Sequence, residues 1–198
     1  MGRVLLLRHG QSTWNAQGRW QGWADPPLSD AGETQAKAAA ALLAGFRFDR
    51  VVSSDLERAR RTAEIISAEL DLGDVLIEEG LRERDVGEWS GKTRPEIDEL
   101  WPGAMQAWRE GRLERPPGGE SVAEMTARII PTIERLSGDE DAGGMVLALT
   151  HGGVIHLVER HYQGDQSATA NLCGRWVARG PRLGDVFAFD HGAPTTIL

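Results

Sequence analysis

Short, unbroken apolar runs alternate with longer stretches of helical spacing along this chain, the pattern of strands buried on both faces and of the helices that cover them. Residues 3–8, 49–53, 75–78 and 145–150 are expected to be strands, and 29–44, 54–70, 121–136 and 152–162 helices, with one or two more helices between 93 and 111. Three Ser/Thr-x-x-Glu patterns, Ser54 to Glu57, Thr93 to Glu96 and Ser121 to Glu124, predict capping boxes at helix starts. This alternation gives an α/β fold, a three-layer sandwich with a mainly parallel central sheet. The tail departs from it, because apolar runs at 175–178 and 186–189 flank Gly180-Pro181 and predict an antiparallel pair at the sheet edge. A polar stretch rich in glycine and proline, 103–120, reads as a covering segment. The expected layout is one domain over 1–198, with an insertion at 84–120, small and helical, forming part of a pocket.

Two of the expected strands end alike. The run Val4 to Leu7 stops at Arg8-His9-Gly10-Gln11-Ser12, and Met145 to Thr150 stops at His151-Gly152-Gly153. A buried strand that ends in a cation and an imidazole needs a partner for them, and in open α/β sheets ligands bind beyond the carboxyl ends of strands. Both histidines are therefore placed at one site, and the arginine makes an anion its natural ligand.

Composition narrows the choice of ligand. Thirty acidic residues against twenty-two basic ones give a net charge of −8, which sets no field that attracts a polyanion. Nucleic acid is excluded as a general partner. The apolar run of β-type at Val4–Leu7 is too short for a membrane span, and the single cysteine, Cys173, excludes an internal disulfide and a cysteine-based zinc cluster. A cytoplasmic protein without membrane contact is expected.

Four positions carry the candidate chemistry. His9 beside Arg8 has the makings of a nucleophile for phosphoryl transfer, since neutral imidazole is nucleophilic and guanidinium can fork onto two phosphoryl oxygens. Arg58 falls in the first turn of a helix, where free N–H groups and the helix dipole also favour an anion; Arg60 and Arg61 compete with it. Glu83, between Arg82 and Arg84, can donate a proton to a leaving oxygen. His151 follows His9 in strength of position, while His156, His161 and His191 read as structural or surface residues. Seven tryptophans against one tyrosine are unusual; about half suit core, and the others can wall a pocket for a sugar ring or apolar group.

In these residues the chain resembles the histidine phosphatase superfamily, in its phosphoglycerate-mutase-like branch. The resemblance runs from Arg8-His9-Gly10-Gln11-Ser12 through Asn15, the Gly22 to Leu28 stretch, Ser53-Ser54-Asp55-Leu56 with Arg58, Leu81 to Gly91, Gly119-Glu120-Ser121 and Thr150-His151-Gly152-Gly153. It implies that His9 becomes phosphohistidine, that Arg8, Asn15, Arg58 and His151 hold the phosphoryl oxygens, and that Glu83 serves the leaving group and then water. Gln21, Gly22 and Gly152 join the implied substrate-binding set. No metal and no cofactor are implied.

The same resemblance separates hydrolysis from transfer. Mutases of this family carry a tyrosine where this chain has Val86, and an arginine pair that residues 92–120 lack. Hydrolysis of a small phosphorylated metabolite is therefore expected. The Trp89 to Thr93 turn and the Pro102 to Glu110 segment are similar to glucosyl-3-phosphoglycerate phosphatases. A mutase, a silent phospho-ligand binder and a metal hydrolase built on His9 and His151 are the competing classes; the arginines disfavour the last electrostatically. A homodimer through exposed strand edges is compatible with the chain.

Overall fold

A computed structural model describes residues 2–138, 144–164, 170–178 and 182–187. Its frame is one six-stranded sheet in the order β3-β2-β4-β1-β5-β6. Strands β1 (Arg3–Arg8), β2 (Arg50–Ser53), β3 (Val75–Ile77) and β4 (Met145–Thr150) run parallel, and β5 (Gly174–Ala178) joins β1 antiparallel. The last strand, β6 (Arg182–Phe187), pairs antiparallel with β5. The antiparallel edge thus stands where the tail departs from the alternating pattern, although the expected second run starts later than β6 and its residues 188–189 lie outside the described residues.

The pleat of the two central strands sorts the core into two halves. In β1, Val4 and Leu6 face one side and Leu5 and Leu7 the other; in β4, Val146 and Ala148 oppose Leu147 and Leu149 in the same manner. On one face these side chains pack under α6 (Val122–Gly138) and α7 (Gly152–His161), through Ile129, Ile133, Val154 and Val158. The other face is covered by α2 (Asp30–Leu43) and α3 (Glu57–Leu70), through Ala39, Leu43, Ala63 and Ile66. Alanine on α2 lets the helix approach the sheet closely, and Ser29 caps it by accepting the Gly32 N–H.

A third, smaller core lies outside the sandwich. Val86, Trp89, Ile97 and Met105 are buried together, flanked by Trp20, Trp101 and Trp108, and they unite the segment after Glu83 with α4 (Arg94–Leu100) and α5 (Ala104–Arg109). The two helices foreseen between 93 and 111 are these. Thr93 and Ser121 both form capping boxes with Glu96 and Glu124.

The third capping box does not form. Helix α3 begins at Glu57 after Leu56, and the N–H of Glu57 is met by Asp25 Oδ1 at 2.6 Å, a carboxylate from a distant loop. Ser54 is fully buried at the end of β2 and turns its hydroxyl toward His151. Three further short turns carried no recognisable signal in the pattern: α1 (Thr13–Ala16) and the 3-10 turns Glu79–Leu81 and Gly87–Trp89.

Candidate active site

The site lies beyond the carboxyl ends of β1 and β4, where two adjacent parallel strands feed loops that turn to opposite faces of the sheet. His9 N–H donates to the Thr150 carbonyl at 3.0 Å, so the two strand ends are tied together at the point where both histidines emerge. The next residue must be glycine, because a Cβ on Gly10 would come within 2.7 Å of the Gly32 carbonyl oxygen. Its N–H donates to Thr62 Oγ1 at 3.1 Å.

His9 is 2% exposed, and its Nδ1 lies 2.6 Å from the Gly10 carbonyl oxygen. A carbonyl only accepts, so Nδ1 carries the proton and Nε2 keeps its lone pair. Burial pushes the imidazole well below its ordinary pKa, and the charges of Arg58 and Arg8 push it further the same way. The ring of His151 packs against it edge-on at 5.1 Å between centroids. His151 is fully buried and likewise held well below the ordinary imidazole range, first by burial and then by Arg58, His9, Arg8 and Arg128. Two neutral imidazoles thus share a small space with two guanidiniums.

Arg58 reaches this space from the first turn of α3. Its side chain is fully buried, and Nη1 and Nη2 donate to the carbonyls of Ala24 and Gly22, each at 2.9 Å. Burial lowers its pKa to about 10. Arg58 Nε and His151 Nδ1 are buried polar atoms with no hydrogen-bond partner among the described residues. Such atoms are costly to leave unmet, and a bound oxyanion is a ligand of the right chemistry to meet them. Arg60 and Arg61, the competitors from the same helix, instead pair on the surface with Glu64 and Glu33.

Glu83 enters from the loop after β3. Its Oε1 accepts the Arg84 N–H at 2.8 Å and its Oε2 accepts the Gly153 N–H at 3.1 Å, so the first turn of α7 holds the carboxyl group over the cavity. Arg82 faces away, forked onto Asp55. Arg128 of α6 braces the loop from beneath through the carbonyls of Arg82 and Glu83, at 2.7 and 2.8 Å.

These groups open into a cavity of about 1000 Å³ lined by Arg8, His9, Arg58 and Glu83 at its base. Asn15, Gln21 and Gly22 line it as well. Asn15 Oδ1 accepts the Ser12 N–H at 3.2 Å, which leaves its amide nitrogen as the remaining donor. His151 is set beside His9 rather than along the open wall, and Gly152 lies against the Arg8 guanidinium. Sequence reasoning missed His156, Arg160 and His161, which line the cavity from α7. The helical spacing i, i+4 after Gly152 was the available signal for His156 and Arg160, but it does not show that this face lines a cavity. Among the described residues, no group of three or more His, Cys, Asp or Glu is placed to hold a metal ion.

The chain belongs to the histidine phosphatase superfamily (branch 1), which matches residues 4–173. It is an enzyme of the histidine phosphatase class. It is 39% identical over 193 residues to the glucosyl-3-phosphoglycerate phosphatase of Mycolicibacterium vanbaalenii, covering 92% of this chain and 79% of that one. Over 161 residues it is 39% identical to the 2,3-bisphosphoglycerate-dependent phosphoglycerate mutase of Methylobacterium radiotolerans, covering 78% and 76% of the two chains. Among solved structures, a mycobacterial glucosyl-3-phosphoglycerate phosphatase in complex with VO3 matches with a TM-score of 0.81 at 34% identity, over 92% of this chain and 96% of that one. No described helix is long and apolar enough to cross a membrane.

Proposed function

We propose that the protein hydrolyses a small phosphomonoester through a phosphohistidine on His9. The observation that carries this reading is the 2.6 Å contact between His9 Nδ1 and the Gly10 carbonyl, in a ring kept neutral by burial and two guanidiniums. That contact aims an unprotonated Nε2 lone pair at the anion the arginines attract.

In the first half-reaction Nε2 attacks phosphorus, the N–P bond forms and the P–O bond to the leaving group breaks. Glu83 delivers a proton to the departing oxygen. In the second, Glu83 takes a proton from water as its oxygen attacks phosphorus, the N–P bond breaks, and inorganic phosphate leaves with His9 neutral again. Arg8, Arg58, Asn15 and His151 hold the non-bridging oxygens, and charge compensation of this kind supplies much of the acceleration in phosphoryl transfer. Gln21 and Gly22 complete the near wall. The scheme needs neither metal nor cofactor, and a small phosphorylated metabolite is its only required partner.

Glucosyl-3-phosphoglycerate is the first candidate substrate, supported by the similarity to phosphatases of that name. Phosphoglycerate mutation is the second reading, since a relative of equal identity bears that name. Phosphate release with EDTA present, from glucosyl-3-phosphoglycerate, 3-phosphoglycerate and α-ribazole phosphate, compared with His9→Ala, tests both. Release that depends on His9 is expected. Rapid appearance of 2-phosphoglycerate from 3-phosphoglycerate would replace hydrolysis by transfer, and full activity in His9→Ala would end the phosphohistidine scheme.

A further inference from the structure

The cavity carries more positive charge than one phosphoryl group calls for. Six arginines line it, Arg8, Arg19, Arg58, Arg84, Arg94 and Arg160, and Glu83 is the one acidic side chain among the described residues that do. This stands against a whole chain of net charge −8. Arg8 and Arg58 belong with His9, and Arg19 is paired with Glu96 at 3.1 Å. Arg84, Arg94 and Arg160 remain, and of these Arg84 and Arg160 lie close enough to feel each other's charge.

Arg84 is a built feature rather than a loose surface cation. Its guanidinium lies 4.1 Å from the Trp108 ring centroid, while Nε and Nη2 donate to the carbonyls of Glu120 and Glu114, each at 2.8 Å. Burial lowers its pKa; Glu120 and Glu83 oppose this, and the charges of Arg160 and Arg115 add to the lowering. Among the described residues no carboxylate pairs with Arg160. Two guanidiniums that repel each other across a cavity are relieved by an anion between them.

His156 sits on the same wall, one helical turn nearer the base. Behind it Glu159 is 2% exposed, with Arg175 Nε and Nη2 both on Oε1 at 2.9 Å. Glu159 Oε2 is buried with no hydrogen-bond partner, and His156 Nδ1 lies 3.5 Å from it. An imidazole that gives Nδ1–H to a buried carboxylate can give Nε2–H to an anion on its other side, so that its charge is compensated at both nitrogens.

We infer that His156, Arg160 and Arg84 form a second anion subsite in this cavity, and that the substrate is a phosphomonoester bearing a further negative group at the end remote from His9. The inference rests on the phosphomonoesterase reading and adds the substrate's second charge. Along α7 the rise from Gly153, which holds Glu83, is about 4.5 Å to His156 and about 10 Å to Arg160. The second anion is therefore a few bonds from the ester oxygen, as a carboxylate or another phosphoryl group of the same small molecule. Glu159 and Arg175 are positioning residues for His156.

Matched aryl esters test this without a natural substrate. KM and kcat are measured for 4-carboxyphenyl phosphate and for its uncharged amide, 4-carbamoylphenyl phosphate, with 4-phosphonophenyl phosphate to distinguish a carboxylate from a phosphoryl group. A KM lower by roughly ten-fold for either anionic ester is expected, the worth of one charge-assisted hydrogen bond. In His156→Leu and in Arg160→Met that preference should collapse toward one, with His156→Gln recovering part of it; all three substitutions fall on exposed or part-exposed positions of α7. Equal KM values in the unmodified enzyme, or a preference that survives both substitutions, would overturn the subsite while leaving hydrolysis intact. Turnover of none of the esters would instead remove the phosphomonoesterase reading, and the subsite with it.

Discussion

The Ser54 hydroxyl lies 3.0 Å from His151 Nε2, and both residues are fully buried. The same oxygen accepts the Leu56 N–H at 3.3 Å, so it is anchored where β2 gives way to α3. It is the one hydrogen-bond partner that the described residues give the His151 ring, and it fixes the ring that packs against His9. Ser54→Ala is expected to destabilise the fold by about 1–3 kcal/mol, the cost of an unmet buried group, and to lower kcat more than it raises KM. Urea unfolding and steady-state kinetics check the two effects. Ser54→Thr, which keeps the hydroxyl, should recover kcat; recovery of stability alone would show that Ser54 does not act through His151.

The two buried histidines make stability fall with acid. Each has a folded pKa below its unfolded value near 6.5, so below that pH the unfolded chain binds more protons than the native one. Their contribution is fully present above pH 6.5 and is lost as pH falls toward the folded values, with a slope approaching roughly 1.4 kcal/mol per pH unit for each histidine. Asp55, a carboxylate lowered by its ion pair with Arg82, titrates further down and does not set this window. Unfolding free energies at pH 7.5, 6.0 and 5.0 should show the decline, and His9→Ala should remove about half of it. The acid limb of kcat/KM should likewise fall below pH 6.5, because the free enzyme keeps His9 neutral there.

Arg58→Lys is expected to fail in both stability and turnover. The guanidinium spans the Gly22 and Ala24 carbonyls while Nε stays available, and an ammonium cannot make that fork. Losing two charge-assisted bonds in a dry site should cost about 2–4 kcal/mol and lower turnover by roughly 10²-fold or more. Thermal unfolding with and without vanadate checks this: the parent should be stabilised by the oxyanion, and the variant much less. Equal stabilisation of the two would remove Arg58 from the anion site.

How far the sequence reached depends on the range of the forces involved. The β1 and β4 strands are legible because both faces are buried, so their apolar runs are unbroken, and the strand-end histidines stand out against them. Capping at Thr93 and Ser121 is legible because its partner is three residues away. At Ser54 the same local pattern is overridden by tertiary partners, Asp25 for the helix end and His151 for the hydroxyl. The cavity role of His156 depends on Trp108 and Arg84 lining the same space from far along the chain, a proximity that no local period encodes. Trp89 could be assigned to core by type, but its place in a separate small core with Ile97 and Met105 could not.

Gly153 allows stability and chemistry to be separated. It is the second residue of α7, its N–H donates to Glu83 Oε2, and a Cβ built on it would fall 2.2 Å from Glu83 Oε1. That neighbour is the end of a flexible side chain, so Gly153→Ala should displace the carboxyl group and leave the backbone alone. Alanine is the better helix former by about 1 kcal/mol, so the variant should unfold at or above the parent temperature. Its turnover should nevertheless fall by roughly 10²-fold on alkyl phosphates, where the departing alkoxide needs a proton, and much less on 4-nitrophenyl phosphate, whose leaving group departs as an anion. Parallel kinetics on the two ester types decide the point. An equal loss on both would mean that Glu83 serves binding rather than proton transfer, and no loss on either would remove Glu83 from the reaction.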